Sequence, residues 1–238
     1  MSDRIFIPSC ACCGTPVDPE AITLYDHDAG LSYRSGLRYI SDDSNEEEMW
    51  IDSSEIFIQV DGACSNNGQP TARAAVAAYF GPQSEYNWQG ALDEDEKQSS
   101  QCAELTGAIR ALEIARDQLE AREPNWLEVR TLVVVSDSEY VVAGISTRIV
   151  KWKRNGYKAN YGKGQSIANK EKFMELDGLV TELADVHDVH VKFWRIGREY
   201  NKEADEMAGD ALEMVTGEGG KRQVLHSGAA FVTYPDED

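Results

Sequence analysis

The sequence predicts an α/β domain in which helices pack on a five-stranded mixed β-sheet. Three observations support this fold class. Residues 55–92 contain three short strand-like segments separated by turn residues. Residues 98–121 carry apolar side chains at a helical period. Residues 130–137, RTLVVVSD, are a continuous run rich in β-branched residues, typical of a strand buried on both faces.

The predicted elements follow the order β-β-β-α-β-α-α-β-α. They cover residues 56–64, 72–80, 84–92, 98–121, 130–137, 138–152, 169–185, 189–197 and 201–215. The first three strands form an antiparallel meander, and the last two lie parallel. Asn201 is a suitable N-cap for the last helix, whose apolar residues share one side.

The chain divides into three predicted regions. Residues 1–54 are expected to form an N-terminal extension that ends in an acidic linker, SDDSNEEEMW, at 41–50. Residues 55–216 are expected to form the main α/β domain, and residues 217–238 a flexible C-terminal tail. A domain of about 160 residues is within the usual range.

Composition excludes some classes of protein. A hydrophobic content of 42% in 238 residues is that of a globular chain. The start, MSDRIFIPSC, has no long apolar segment, so we expect an intracellular protein, nuclear or cytoplasmic, that does not bind a membrane. A net charge of −19 disfavours nucleic-acid binding unless basic residues cluster locally.

The five cysteines do not indicate a disulfide framework, because their number is odd and no leader precedes them. Three of them, Cys10, Cys12 and Cys13, are clustered. They could bind a structural metal, but the nearest histidine, His27, does not give the spacing of a known zinc module. The role of this cluster stays open.

Four acidic residues fall at the ends of predicted elements. Asp61 ends the first strand, Glu104 lies near the start of the first long helix, Asp137 ends the buried strand, and Asp205 begins the last helix. Strand ends and helix starts converge on one crevice in α/β sheets. Four carboxylates there would repel one another unless a cation neutralised them. Oxygen ligands suit Mg²⁺ or Mn²⁺, and several of them suit two ions about 4 Å apart.

Each acid also has a simpler interpretation. Asp61 could merely shape a turn with Gly62, and Asp137 could cap the following helix. Glu104 and Asp205 could favour the positive end of a helix dipole. The ordered set of four is what favours a metal site.

The spacing of four motifs resembles that of the type 1 ribonuclease H family, over residues 55–215. The motifs are DGACSNNG at 61–68, QCAEL at 101–105, VVSDSEYV at 134–141 and REYNKEADEMA at 198–208. Each fragment is weak alone, whereas the ordered set is specific.

The resemblance implies a ribonuclease H-like fold and Mg²⁺-dependent hydrolysis of the RNA strand of RNA–DNA hybrids, leaving 5′-phosphate and 3′-hydroxyl ends. Asp61 would bridge two Mg²⁺ ions, with Mn²⁺ as a possible substitute. Glu104, Asp137 and Asp205 would each hold one ion.

A basic segment, residues 148–170, contains seven Lys or Arg residues and no acid. Trp152, Tyr157 and Tyr161 are interleaved with these cations. The segment could be an ordinary solvated surface. It could also be a groove that follows phosphates and offers aromatic platforms.

The resemblance also implies contacts with the hybrid. It implies that some residues hold a DNA phosphate, line the DNA channel or form a basic protrusion. These residues are Lys97, Ser99, Asn155, Trp152, Lys153, Arg154 and Lys158. Asn67 and Gln101 match positions that contact the RNA strand, where their amides could recognise the 2′-hydroxyl.

One motif departs from the family pattern. Many members carry a histidine in a loop before the last helix, whereas Arg198 occupies that position in FWRIGREYNKEAD. Arg198 or Glu199 could partly replace the histidine, so we expect a variant without the histidine loop that turns over more slowly. His187 and His190 are expected to be surface residues. The first 54 residues do not resemble the family's N-terminal hybrid-binding module.

Two other functions remain open on sequence grounds. One is a catalytically weak or silent module that binds hybrids or other nucleic acids. The other is a different nuclease activity on the same fold, since fold does not determine substrate. We expect the protein to act as a monomer.

Overall fold

The computed structural model describes residues 4–8, 21–39, 47–159 and 165–217. Within these ranges the chain forms seven strands and five α-helices. The strands are β1 (Thr23–Asp26), β2 (Leu31–Tyr39), β3 (Glu47–Ser65), β4 (Arg73–Tyr79), β5 (Trp88–Ala91), β6 (Thr131–Ser136) and β7 (His190–Arg195). The helices are α1 (Ser100–Ala121), α2 (Glu139–Ala143), α3 (Ile149–Arg154), α4 (Lys170–His187) and α5 (Lys202–Thr216).

All seven strands belong to one mixed sheet. Strands β1 to β5 are antiparallel neighbours in sequence order. On its other edge β3 pairs with β6 in parallel, and β6 pairs in parallel with β7. The predicted α/β class, with an antiparallel meander followed by two parallel strands, is therefore confirmed by β3 to β7.

The sheet has two more strands than predicted, and both come from the N-terminal region. Strand β3 is 19 residues long, and its first half pairs with β2 before its second half pairs with β4. Residues 47–50, which the sequence predicts to be part of an acidic linker, instead begin β3. Gly36 allows this pairing, because a Cβ there would lie 2.8 Å from the indole of Trp50. The domain boundary at residue 55 stays a prediction, although β3 runs across it.

Helices and loops cover both faces of the sheet. On one face Leu105, Ile109 and Leu112 of α1 are buried against the sheet in a large apolar cluster, as their helical period predicts. Val133 and Val135 of β6 face the opposite side, in a cluster that includes Phe57. Burial on both sides explains why TLVVVS contains no alternation of apolar and polar residues.

Several elements differ from their predicted extents. The predicted strand 84–92 is shortened to β5, because Ser84 and Asn87 form a turn whose side chains bond to Gly30 and Phe80. The predicted helix 138–152 is α2 and α3 joined by a π-helical turn at Gly144–Arg148.

The N-terminal segment Arg4–Pro8 lies along the outer edge of β7. The Phe6 amide donates to the Phe193 carbonyl at 3.0 Å, and the Phe193 amide donates to the Arg4 carbonyl at 2.7 Å. The Phe6 ring is buried against Phe57 and Trp194. This segment therefore protects the edge of β7 from further pairing.

In the described parts of the chain, no helix is both long and apolar enough to cross a bilayer. Cys10, Cys12 and Cys13 lie outside the described residues, as does the predicted tail from residue 218 onward.

Candidate active site

Asp61 and Asp137 lie side by side where the parallel pairing of β3 and β6 ends. The last pair in this register is Gln59 with Val135, so two residues further on Asp61 faces Asp137. The prediction that Asp61 ends its strand is wrong. Strand β3 continues through Asp61 to Ser65 in an antiparallel pairing with β4. What ends at this point is the parallel ladder, since β6 stops at Ser136. The end of this ladder is the opening of the sheet at which Asp61 lies.

Glu104 reaches the same place because α1 lies unusually close to β3. A Cβ on Gly62 would be 2.4 Å from the Glu104 amide nitrogen, and a Cβ on Gly107 would be 3.1 Å from the Asp61 carbonyl oxygen. The contact at Gly62 leaves no room for a Cβ, and the contact at Gly107 would be tight. Gly62 and Gly107 thus bring the fifth residue of α1 next to Asp61.

Ser138 joins the α1 carboxylate to the start of α2. Its hydroxyl donates to Glu104 Oε2 at 2.6 Å and accepts from the Val141 amide at 3.3 Å. Ser138, rather than Asp137, is therefore the N-cap of α2. The simpler interpretation of Asp137 as a helix cap is wrong, and its carboxylate is left facing the site.

Asp205 lies in the first turn of α5, as predicted, and is bound by Arg198. The guanidinium donates to Asp205 Oδ1 at 2.6 Å. This hydrogen bond and the charge of Asp205 hold the pKa of Arg198 above its ordinary value, and weaker attractions to Asp137 and Asp61 add to the effect. Arg198 therefore contributes positive charge to all three aspartates.

Asn201 is fully buried and has a different role from the predicted one. Its side chain makes no capping bond to α5. Instead Nδ2 donates to the Val60 carbonyl at 3.1 Å. This bond fixes the start of α5 to β3 beside Asp61, and so places Asp205 near it.

The carboxylates are close enough for their charges to act on one another. Burial raises the pKa of Asp61 from 3.8 to about 7; a hydrogen bond from the Gly62 amide opposes this, and the charges of Asp137, Asp205 and Glu104 reinforce it. Burial also raises the pKa of Glu104, against the hydrogen bond from Ser138, and Asp137 adds to the rise. The four predicted residues therefore form one electrostatic cluster.

The cluster fits a hard divalent cation in donor chemistry, since its groups are carboxylate oxygens whose mutual repulsion a cation would relieve. In residues 4–8, 21–39, 47–159 and 165–217, no three His, Cys, Asp or Glu side chains already surround one ion position. Glu104 and Asp205 are directed to Ser138 and Arg198 instead. Binding of an ion by the whole set would require these two side chains to turn toward Asp61.

The residues predicted to contact RNA lie together at the start of α1. Asn67 Nδ2 donates to Ser100 Oγ at 3.0 Å, which places it beside Gln101, and both predicted residues are exposed. Ser99 is the N-cap of α1 and accepts from the Cys102 amide at 3.3 Å. Lys97 precedes it and is exposed.

The predicted DNA-side residues belong to a folded unit around α3. Trp152 packs on Phe173 with ring centroids 4.9 Å apart, so only part of its ring is exposed. The Asn155 side chain bonds to both backbone groups of Lys158. Lys153 Nζ contacts the buried Asp177 at 2.7 Å. The exposed cations of this unit are Lys151, Lys153, Arg154 and Lys158; Tyr161 and Lys163 lie outside the described residues.

Glu199 lies against its own loop, and the two histidines lie near the start of β7, at the opposite end of the parallel strands from Asp137. The Glu199 carboxylate lies against Gly197, at 2.5 Å from the position of a Cβ there. His190 is exposed and His187 partly exposed. Of the two predicted substitutes for the loop histidine, Arg198 is the one that contacts an acidic residue of the site.

Sequence reasoning did not assign a role to Ser138, Gly107 or Asp177. A signal existed for Gly107, because a glycine within a helix is unfavourable and often marks a close approach of two backbones. No local pattern distinguishes Ser138 from an ordinary cap, or Asp177 from a surface acid.

The fold and the carboxylate cluster define an α/β protein with a ribonuclease H-like fold. A family model described as RNase H matches residues 53–213. The chain is 33% identical over 162 residues to Ribonuclease H1 of Rattus norvegicus, covering 68% of this chain and 52% of that protein. It is 31% identical over 168 residues to Ribonuclease H of Pseudomonas savastanoi pv. phaseolicola, covering 70% of this chain and 97% of that protein. The chain belongs to the RNase H family.

The matched region spans about half the length of the mammalian relatives. Among solved structures, the crystal structure of LC11-RNase H1 in complex with RNA/DNA hybrid is similar, with a TM-score of 0.46 and 21% identity. The alignment covers 67% of this chain and 98% of that one.

Proposed function

We propose that this protein is an endoribonuclease that hydrolyses the RNA strand of RNA–DNA hybrids with Mg²⁺, leaving 5′-phosphate and 3′-hydroxyl ends. One observation carries the proposal: Asp61, Glu104, Asp137 and Asp205 form a single electrostatic cluster at the opening of the sheet, in a chain of the RNase H family. The relatives named Ribonuclease H support the choice of reaction.

Two Mg²⁺ ions, when bound, would activate the attacking water and stabilise the leaving oxygen. Asp61, Glu104, Asp137 and Asp205 would hold these ions. Ser138 orients Glu104 through the hydrogen bond at 2.6 Å. Burial of Asp61 lowers the local dielectric and so strengthens its attraction for a cation.

The protein's own residues would then position the hybrid. Asn67, which contacts Ser100, and Gln101, the next residue of α1, are both exposed, and their amides would contact the 2′-hydroxyls of the RNA strand. The exposed cations of residues 148–158 would bind phosphates of the DNA strand, and their local charge offsets the net charge of −19.

Arg198 takes the position of the family's loop histidine in this proposal. Its contact with Asp205 at 2.6 Å supports a role next to the reacting groups. A guanidinium does not lose its proton near neutral pH, so Arg198 could neutralise charge but could not shuttle protons. We therefore propose a variant without the histidine loop that turns over more slowly, and that acts as a monomer.

The test is incubation of an end-labelled RNA–DNA hybrid with the protein over a range of Mg²⁺ and Mn²⁺ concentrations. The Asp137→Asn variant is expected to be inactive. The matched control is Asp188→Asn, which removes an equal charge at an exposed position on the end of α4. We expect cleavage by the wild type and Asp188→Asn, and none by Asp137→Asn. Equal cleavage by all three, or none by the wild type, contradicts the proposal.

A panel of hybrid, duplex DNA, duplex RNA and branched DNA distinguishes the alternatives. Cleavage of another substrate in preference to hybrid would indicate a different nuclease on this fold. Tight hybrid binding without turnover would indicate a silent binding module, which the direction of Glu104 and Asp205 toward Ser138 and Arg198 would explain.

A further inference from the structure

Lys153, one of the predicted substrate contacts, is held by an internal partner. Its Nζ lies 2.7 Å from Asp177 Oδ2. Asp177 belongs to α4 and is 6% exposed, so this ion pair lies at the base of the basic segment rather than on its outer surface. The side chain of Lys153 is itself half exposed, at 51%. Lys153 therefore anchors the end of α3 to α4.

The second oxygen of Asp177 is bound by the N-terminal segment. Arg4 NH1 lies 2.7 Å from Asp177 Oδ1. Burial alone would raise the pKa of Asp177, but the hydrogen bonds from Lys153 and Arg4 outweigh burial and lower the pKa below its ordinary value. Removing either cation would leave the buried carboxylate incompletely paired, which costs free energy of folding.

The position of Arg4 is fixed independently of Asp177. Backbone hydrogen bonds join residues 4–6 to Phe193 of β7. The Phe6 ring is buried, and the cations of Arg34 and Lys192 lie 5.7 and 5.8 Å from its centre. Arg4 therefore holds Asp177 from a rigid edge of the sheet.

On the other side of Asp177, the basic segment is connected to Lys153 through its own backbone. The Tyr157 amide donates to the Trp152 carbonyl at 2.7 Å, and the Asn155 side chain closes the loop onto Lys158. A shift of Lys153 would thus shift Asn155 and Lys158 as well. Both of these are predicted to contact the DNA strand.

We propose that Asp177 is a positioning residue for hybrid binding. By holding Arg4 and Lys153 at once, it couples the N-terminal segment Arg4–Pro8 to residues 148–158 of the basic segment. The inference rests on the proposed function. It assigns to residues near the N-terminus, which lie outside the matched family region 53–213, a part in substrate affinity. The carboxylates at Asp61 are not involved in this coupling.

The first test compares Asp177→Asn with Asp188→Asn, which removes the same charge from the exposed C-terminal end of α4. We expect Asp177→Asn to raise KM for the hybrid about threefold or more, with kcat at saturating hybrid unchanged. Asp177→Glu, which keeps the charge, should recover part of the affinity. A purely structural role would instead lower the active fraction, and so lower kcat without changing KM.

The second test is a double-mutant cycle on hybrid affinity, measured by fluorescence anisotropy in the non-cleaving Asp137→Asn background. Arg4→Gln alone should weaken binding, although Arg4 contacts the Asp177 oxygen that Lys153 does not contact. Combined with Asp177→Asn it should add little, because the second change removes a coupling that is already broken. Arg4→Gln also keeps the test informative if Asp177→Asn does not fold.

The outcomes separate the two proposals. If the wild type neither binds nor cleaves hybrid, the proposed function and this inference both fail. If the wild type acts on hybrid but Arg4→Gln and Asp177→Asn bind it as tightly as Asp188→Asn, the proposed function stands and the coupling is overturned. Strictly additive effects of Arg4→Gln and Asp177→Asn would also overturn it.

Discussion

The hydroxyl of Ser138 donates to Glu104 Oε2 at 2.6 Å while it accepts from the Val141 amide at 3.3 Å. One side chain therefore begins α2 and orients a carboxylate on α1. Removing a group that orients a metal-binding carboxylate commonly costs about 10- to 100-fold in metal affinity or activity.

Ser138→Ala should lose both contacts. We expect kcat on hybrid to fall about tenfold, because Glu104 is no longer oriented. The free energy of unfolding should fall by about 1 kcal/mol from the loss of the helix cap. Steady-state kinetics and urea denaturation measure the two effects. Ser138→Thr keeps the hydroxyl and should retain most of both; an unchanged kcat in Ser138→Ala would show that Glu104 needs no support.

Asp61→Asn should stabilise the metal-free protein at neutral pH. The folded-state pKa of Asp61 is raised from 3.8 to about 7, so between these values the folded protein holds a proton that the unfolded chain has released. Stability then falls as pH rises through this window, by about 4 kcal/mol at most at 1.4 kcal/mol per pKa unit. The ionised carboxylate thus costs stability above pH 7, and asparagine removes that cost.

The measurement is urea denaturation of wild type and Asp61→Asn with a chelator present, at several pH values from 4 to 8. We expect little difference near pH 4 and a growing advantage for Asp61→Asn up to pH 7. Added Mg²⁺ should narrow the gap, since the ion stabilises the ionised form of the wild type. A gap that is constant across pH would indicate that asparagine acts by packing instead.

The sequence predicted those parts of the fold that depend on local periodicity. The helical spacing of Leu105, Ile109 and Leu112 and the unbroken apolar run of β6 both follow from burial, and burial leaves a pattern in the sequence. Strands β1 and β2 were missed, and so was the start of β3, where the acidic residues at 47 and 48 obscure the alternation.

For the candidate site, the sequence predicted that the four acidic residues would lie together, as they do, but it did not predict the residues that support them. Asparagine is a common N-cap residue, yet the side-chain amide of Asn201 donates to the Val60 carbonyl, 141 residues away in the sequence. Asp177 is an acid within an amphipathic helix, and only the tertiary fold places Arg4 and Lys153 against it. Contacts between distant segments leave no periodic trace, so they are visible only in three dimensions.

Gly62→Ala should separate α1 from β3. The new Cβ would lie 2.4 Å from the Glu104 amide and 2.5 Å from the Ala103 carbonyl carbon, both backbone atoms that cannot rotate away. We expect a loss of about 1–3 kcal/mol in the free energy of unfolding, together with a large loss of activity as Glu104 moves.

Gly209→Ala in α5 is the matched control, because its Cβ meets nothing within 4 Å. That change should be neutral or stabilising by up to about 1 kcal/mol. Equal stability and activity in the two variants would contradict the close approach.

Arg198→Ala should tighten the binding of Mg²⁺ to the free protein. The guanidinium occupies Asp205 Oδ1 at 2.6 Å and attracts Asp61 and Asp137, so it competes with a metal cation for the same charge. Because the Arg198 side chain is 76% exposed, the competition is weak, and we expect at most about a fivefold gain in affinity. Isothermal titration calorimetry with Mg²⁺ in the absence of substrate measures this affinity directly.

The Mg²⁺ affinity of Arg198→Lys should lie between those of wild type and Arg198→Ala. Lys202→Ala, which removes a neighbouring exposed cation, should change the affinity less. If Arg198→Ala binds Mg²⁺ more weakly than wild type, Arg198 helps to organise Asp205 for the ion rather than competing with it.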